Sequence, residues 1–171
     1  LEGDYGGCEY VNRYIHGGEG TAEQAAAAIG FAIYRTDEMA DLISYMRKYN
    51  ETAKAGDDLR FYGFDMQNWS YNLQYLTEAC KASGIDVTEL KKLEDNDEAD
   101  GGYDIEEQTR IIMEIKKELQ ESDAKDIKQA DHLADTLLQN ISLGKVIDSA
   151  VEGNALRDQR MAENVMWILS M

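Results

Sequence analysis

Apolar residues along this chain recur mostly at three- and four-residue spacings, the repeat expected of helices that bury one side. Thr21 with Gln24 three positions later predicts a capping box opening a short helix over 22–29, whose alanines allow a neighbour to come close and which Gly30 and Phe31 end. Thr36, followed by Asp37 and Glu38, predicts a second start, with Met39, Leu42, Ile43 and Met46 as its apolar stripe and an end near Asn50. Leu73, Leu76 and Cys80 predict a helix over 69–83, and Ile105, Ile112, Ile115 and Leu119 predict another. Ser122 is expected to cap the next helix, which carries Ile127, Ala130, Leu133, Ala134, Leu137 and Leu138 and packs antiparallel to its predecessor across a short turn. A last helix over 153–169 places Met161, Val165 and Ile168 on one face with Arg157 and Asn164.

The helical spacing breaks in three places. Gly3, Gly6 and Gly7 predict a tight turn before a short helix over 9–15, and His16 to Gly20 read as a loop. Leu59 to Phe64 is the best strand candidate, with Gly63 marking a close backbone approach and Asp65 and Gln67 at the strand end. Leu93 to Tyr103, rich in acid, reads as a mobile excursion. One strand and a stub at Leu1 cannot make a sheet alone. The expected class is therefore a mainly α-helical fragment of a larger α/β hydrolase-type domain, multihelical with one or two short core strands. One domain over 1–171, incomplete at both ends, is the expected organisation.

Composition narrows the function. The 171 residues hold 34 acidic and 17 basic side chains, a formal charge of −17. Such a field repels phosphate backbones and anionic lipid, so neither nucleic acid nor a membrane is an expected partner. No apolar run reaches spanning length and no secretion signal is visible, so a cytoplasmic location is expected. The two cysteines, Cys8 and Cys80, are too far apart for a metal pair and read as buried thiols.

Ester hydrolysis needs a general base or nucleophile and a means of stabilising developing negative charge. His16 and His132 are the only imidazoles; His132, between Asp131 and Asp135 on a helix, reads as exposed. Glu2, Asp4, Glu9 and Asp65 stand beside predicted strand ends or glycine turns. No phosphate loop, GxSxG elbow, CxxC pair, EF-hand loop or HExxH pattern is present, so no cofactor or metal is expected.

Four stretches carry a family resemblance: Val11 to Gly20, Phe31 to Asn50, the run Arg60-Phe61-Tyr62-Gly63-Phe64-Asp65-Met66-Gln67, and Leu156 to Asn164. In order and separation they resemble the erythromycin esterase family, which includes members labelled succinoglycan biosynthesis proteins. The resemblance implies a metal-independent hydrolase, a macrolide-resistance esterase in the name-giving case, in which histidine-activated water opens a small-molecule carboxylic ester such as a macrolactone. It implies that Glu2 matches an active-site glutamate and is the catalytic residue of this stretch. Asp65 and Gln67 match a strand-end block near the cleft, and Arg157 and Asn164 match polar positions of a supporting helix. The family's two histidine motifs would lie before Leu1 and after Met171, which implies that this piece is inactive alone. The competing reading is a non-catalytic acidic helical interaction domain.

Overall fold

The computed structural model describes residues 1–94, 104–122, 127–146 and 149–171. The described residues form eight α-helices and one 3-10 turn: α1 (Tyr5–Ile15), α2 (Ala22–Ala28), the turn Ala32–Tyr34, α3 (Asp37–Asn50), α4 (Ser70–Ala82), α5 (Thr88–Glu94), α6 (Ile105–Glu121), α7 (Ile127–Gly144) and α8 (Ala150–Leu169). The chain divides into two compact units. The first comprises 1–68 and 161–171, the second 69–160, so α8 contributes to both.

Among the described residues there is no sheet, and the expectation of an α/β core with short strands is overturned. The only β-type pairing is an isolated parallel bridge between Asp4 and Asp65. The stretch 59–64 is not a strand: side-chain amides take the backbone bonds of Leu59 and Phe61, and from Tyr62 onward it enters only the short pairing with 1–5 around that bridge. Leu59 N donates to Asn50 Oδ1 at 2.7 Å, Phe61 N donates to Asn12 Oδ1 at 2.7 Å, and Asn50 Nδ2 returns a bond to Leu59 O at 3.0 Å. Extended backbone whose groups are satisfied in this way needs no ladder.

In the first unit α1, α2 and α3 pack on one another around Val11, Ile15, Ala25, Ile29 and Ile43. Helix α1 starts four residues before its predicted edge. Asp4 caps it by accepting from Gly7 N at 2.8 Å, and Gly6 and Gly7 lie in its first turn instead of forming a separate loop. Gly7 is required there because a Cβ would run into the Ala28 carbonyl of α2. The Thr21–Gln24 capping box on α2 and the Thr36 cap on α3 form as the sequence predicts. The buried stripe of α3 is Ala40, Ile43 and Met46, while Leu42 turns outward.

In the second unit α7 packs against both α4 and α6, and α5 bridges α4 and α6. Leu73, Leu76, Leu90, Ile112, Leu119 and Leu137 fill the interior, each worth about 1.5–3 kcal/mol of burial. Lys116 of α6 donates to Asp131 at 3.0 Å and to Asp135 at 2.6 Å, and Gln120, one turn later, donates to Asp131 at 2.8 Å. Later residues of α6 therefore face earlier residues of α7, the antiparallel arrangement expected. Two local readings change, those of α5 and of His132. Helix α5 was not expected; its start is set by Asp86, which accepts from the Thr88 amide and hydroxyl. The Ser122 hydroxyl donates to Leu119 O at 2.7 Å at the end of α6, and residues 123–126, which its expected cap would serve, lie outside the described residues. His132 is buried, not exposed. Of the acidic segment 93–103, Leu93 and Glu94 complete α5 with Leu93 buried, and 95–103 lie outside the described residues.

Candidate active site

The first unit brings two distant stretches side by side in parallel. Leu1 N donates to Tyr62 O at 3.0 Å, Phe64 N to Leu1 O at 3.3 Å, Asp65 N to Gly3 O at 2.9 Å, and Tyr5 N to Asp65 O at 2.9 Å. These bonds set Asp4 against Asp65. Gly63 makes the approach possible: a Cβ there would press on the Gly3 and Asp4 carbonyl oxygens and lie 2.7 Å from Cys8 Sγ.

Both aspartates are fully buried. A buried carboxylate persists when amide donors replace its water. Asp4 Oδ2 accepts from Gly7 N and its Oδ1 from Asn68 N at 3.3 Å, with the positive end of α1 beneath it. Asp65 Oδ1 accepts from Met66 N at 2.8 Å. Each side chain therefore fixes the backbone that follows it. Asp4 N also donates to Ile29 O at 2.9 Å, which draws the segment after α2 across this pairing. Gly30, at φ +104°, is the turn that lets the chain pass between Asp4 and Asn68.

Asn164 of α8 is fully buried and donates from Nδ2 to Phe64 O at 3.1 Å, one residue before Asp65. Three residues on, Trp167 meets Tyr5 edge-to-face with ring centroids 5.7 Å apart. Of the five residues singled out by sequence, Asp65 and Asn164 meet at one backbone unit. Glu2 is exposed and stands two residues before Asp4 on the paired stretch. Gln67 is exposed beyond Asp65, and Arg157 is partly buried on the part of α8 that belongs to the second unit.

Tyr34, at the end of the 3-10 turn, was not singled out. Its ring packs on the core cluster that contains Cys8 and meets Phe31 edge-to-face at 6.4 Å. Burial raises its hydroxyl pKa above the ordinary phenol value, and the charge of Glu2, the Cys8 side chain and Asp65 raise it further. Burial, then Asp4, also pushes the Cys8 thiol up, so at neutral pH it is a protonated core group and not a nucleophile. No sequence signal marks Tyr34, since nothing local says that the segment after α2 crosses the Asp4–Asp65 pairing.

The imidazoles are engaged differently. His16 Nδ1 lies 2.7 Å from Asn12 O and its Nε2 3.1 Å from Asp58, and this contact, with Arg60 adding, holds the Asp58 carboxyl below the usual range. His132 sits inside the second unit, where burial foremost, with Lys116 adding and Asp131 opposing, lowers its pKa to about 4. Among the described residues no group of three or more His, Cys, Asp or Glu is placed to hold a metal ion, and no helix is long and apolar enough to cross a membrane.

Two crystal structures share the fold. One is of a succinoglycan biosynthesis protein, 18% identical, with a TM-score of 0.70 over 97% of this chain and 43% of the other. The second is of a protein from Bacillus cereus, 21% identical, with a TM-score of 0.71 over 98% of this chain and 45% of the other. The chain thus spans less than half the length of either. No curated protein matches. A family model described as erythromycin esterase matches residues 1–171 from end to end, and the chain belongs to the erythromycin esterase family.

Proposed function

We propose that this chain is part of a metal-independent hydrolase that cleaves a carboxylic ester, with a macrolide lactone as the leading substrate class. The observation that carries the reading is the family match along the whole chain. The buried Asp4–Asp65 pairing supports it, because it gives Glu2 a fixed backbone from which to work. In this mechanism water is activated by a histidine other than the two in this chain. Glu2 orients that imidazole and stabilises its charge as it takes the proton. Asp65 and Asn164 hold the floor of the site, and Gln67 contributes a polar group toward substrate. The substrate is a small molecule, and the working place is the reducing cytoplasm, which suits two buried free thiols.

The 171-residue chain alone is proposed to be inactive. His16 is tied to Asn12 and Asp58, and His132 is enclosed among the helices of the second unit. The formal charge of −17 favours one rival reading, an acidic interaction domain that docks a basic partner. A turnover assay separates the two. The isolated chain and the full-length protein are each given a macrolide lactone, an acylated saccharide and phenyl acetate, with and without EDTA. Ester cleavage by the full-length protein, unaffected by EDTA and absent from the isolated chain, is the expected result. No cleavage of any ester by the full-length protein would leave the interaction domain as the better account.

A further inference from the structure

The proposed chemistry does not use His16, yet its ring stands at the start of the stretch that delivers Asp65. Three contacts fasten that stretch to the ends of α1 and α3. His16 Nε2 lies 3.1 Å from Asp58 Oδ2, Leu59 N donates to Asn50 Oδ1 at 2.7 Å, and Phe61 N donates to Asn12 Oδ1 at 2.7 Å. The pairing with 1–5 then begins, with Leu1 N donating to Tyr62 O. Asp58 is thus the first of three anchored residues that lead the chain into the site.

The His16 ring faces an acceptor at each nitrogen. Nδ1 lies 2.7 Å from the Asn12 carbonyl oxygen and Nε2 faces the Asp58 carboxylate, and neither partner has a proton to give. A neutral imidazole carries a single N–H and must turn a lone pair toward one of them, whereas the imidazolium donates to both. Charges of both signs surround the ring. Asp58 and the negative carbonyl end of α1 lie on one side of the balance. On the other, Arg47 of α3 donates to the Tyr14 and Gly18 carbonyls at 2.9 and 2.8 Å, and Arg60 shares Asp58 Oδ2 at 3.2 Å. Arg13 of α1 is drawn to Glu9. His16, first among several causes, holds the Asp58 carboxyl below the usual range, so it stays ionised near neutral pH.

We infer that His16 and Asp58 form a protonation-dependent clasp: the imidazolium fastens the start of the 58–65 stretch to the end of α1, and loss of one ring proton releases it. The shorter contact, to Asn12 O, keeps its proton, and Nε2 then sets a lone pair against the Asp58 carboxylate. Histidine is the side chain whose ordinary charge change falls between about pH 5 and about pH 8. The grip is full on the acid side of that range and loosens as pH rises through it. Leu59 and Phe61, one and three residues on, feel the release first, while the packed core of α1, α2 and α3 does not. The clasp is independent of the reaction that family membership suggests.

The test is hydrogen exchange by mass spectrometry on the full-length protein at about pH 5.5 and about pH 8.5, with intrinsic exchange rates divided out. In wild type the peptide covering 57–62 is expected to be more protected at the lower pH by about 3-fold to 5-fold, the scale of a part-exposed ion pair. A peptide from the middle of α3, around Ile43, is expected to be equally protected at both. His16→Gln keeps a donor but cannot titrate, and Asp58→Asn removes the charge that the ring faces. Each should bring the ratio for 57–62 below about 1.5-fold. Both side chains are part-exposed, so the fold is expected to survive, and either variant serves alone if the other fails to fold. Equal protection of 57–62 at the two pH values in wild type, a ratio that survives in either variant, or an equal change in the α3 peptide would overturn the clasp. None of these outcomes depends on whether the protein cleaves an ester.

Discussion

In the second unit the interior is side chain on side chain: Leu76, Ile112, Leu119 and Leu137 are buried on α4, α6 and α7, and Lys116 and Gln120 lace α6 to α7 at the rim. In the first unit, beside Ile15, Ile29 and Ile43, the centre holds Asp4, Asp65 and Asn164, each bonded to main-chain groups, and two places where backbone touches backbone because a glycine leaves room. A side-chain core tolerates volume-conserving repacking, whereas a backbone contact made possible by a glycine has no room for even one added methyl. The first unit, 1–68 with 161–171, is therefore the one less tolerant of added volume at its centre, and the second, 69–160, the one whose stability rests on packed side chains.

Substitutions that fit one unit and not the other sharpen this contrast. Leu137→Ala, in the second unit, is expected to destabilise by about 2–5 kcal/mol, the loss for a large fully buried side chain, read as an earlier urea midpoint for α7 amides in hydrogen exchange. Acid should weaken the same unit next. His132 has a folded pKa of about 4 against an ordinary 6.5, so the unfolded state takes up the proton first. Stability is whole above about pH 6.5 and falls as pH drops toward about 4, by roughly 2–4 kcal/mol in all. His132→Leu should flatten that limb, measured as exchange protection of α7 at pH 7 and pH 4.5; an unchanged acid limb would show that other groups govern it. Smaller in stability, about 1–3 kcal/mol, but aimed at the site, is Gly63→Ala. A single methyl there should separate 1–5 from 62–65, reported by loss of exchange protection at Tyr5 and Asp65.

Helices α4, α6 and α7 of the second unit were legible because their apolar spacing is regular and they pack on one another, whereas the short α5 was not. The capping residues Thr21 and Thr36 were legible for a similar reason, since the cap and its partner lie three residues apart. What misled was the run Leu59 to Phe64. Its composition is that of a strand, but its Leu59 and Phe61 amides go to the side chains of Asn50 and Asn12, and its backbone pairing with 1–5 begins only at Tyr62. Asp4 showed itself only as an acid near glycines; its cap bond to Gly7 is local, but its second bond comes from Asn68, 64 residues away. Leu42 failed as a core position because the side of α3 that α1 and α2 cover is the one bearing Ala40 and Ile43, a choice made by tertiary packing. Tyr34 had no local signature at all.

The central claim is that the paired stretch of the first unit carries a charged, working Glu2. The most direct test is Glu2→Gln in the full-length protein, with steady-state ester hydrolysis and thermal unfolding measured side by side. The account predicts a fall in kcat of about 100-fold to 10,000-fold, with the unfolding midpoint unchanged because Glu2 is exposed. Turnover equal to wild type would contradict it.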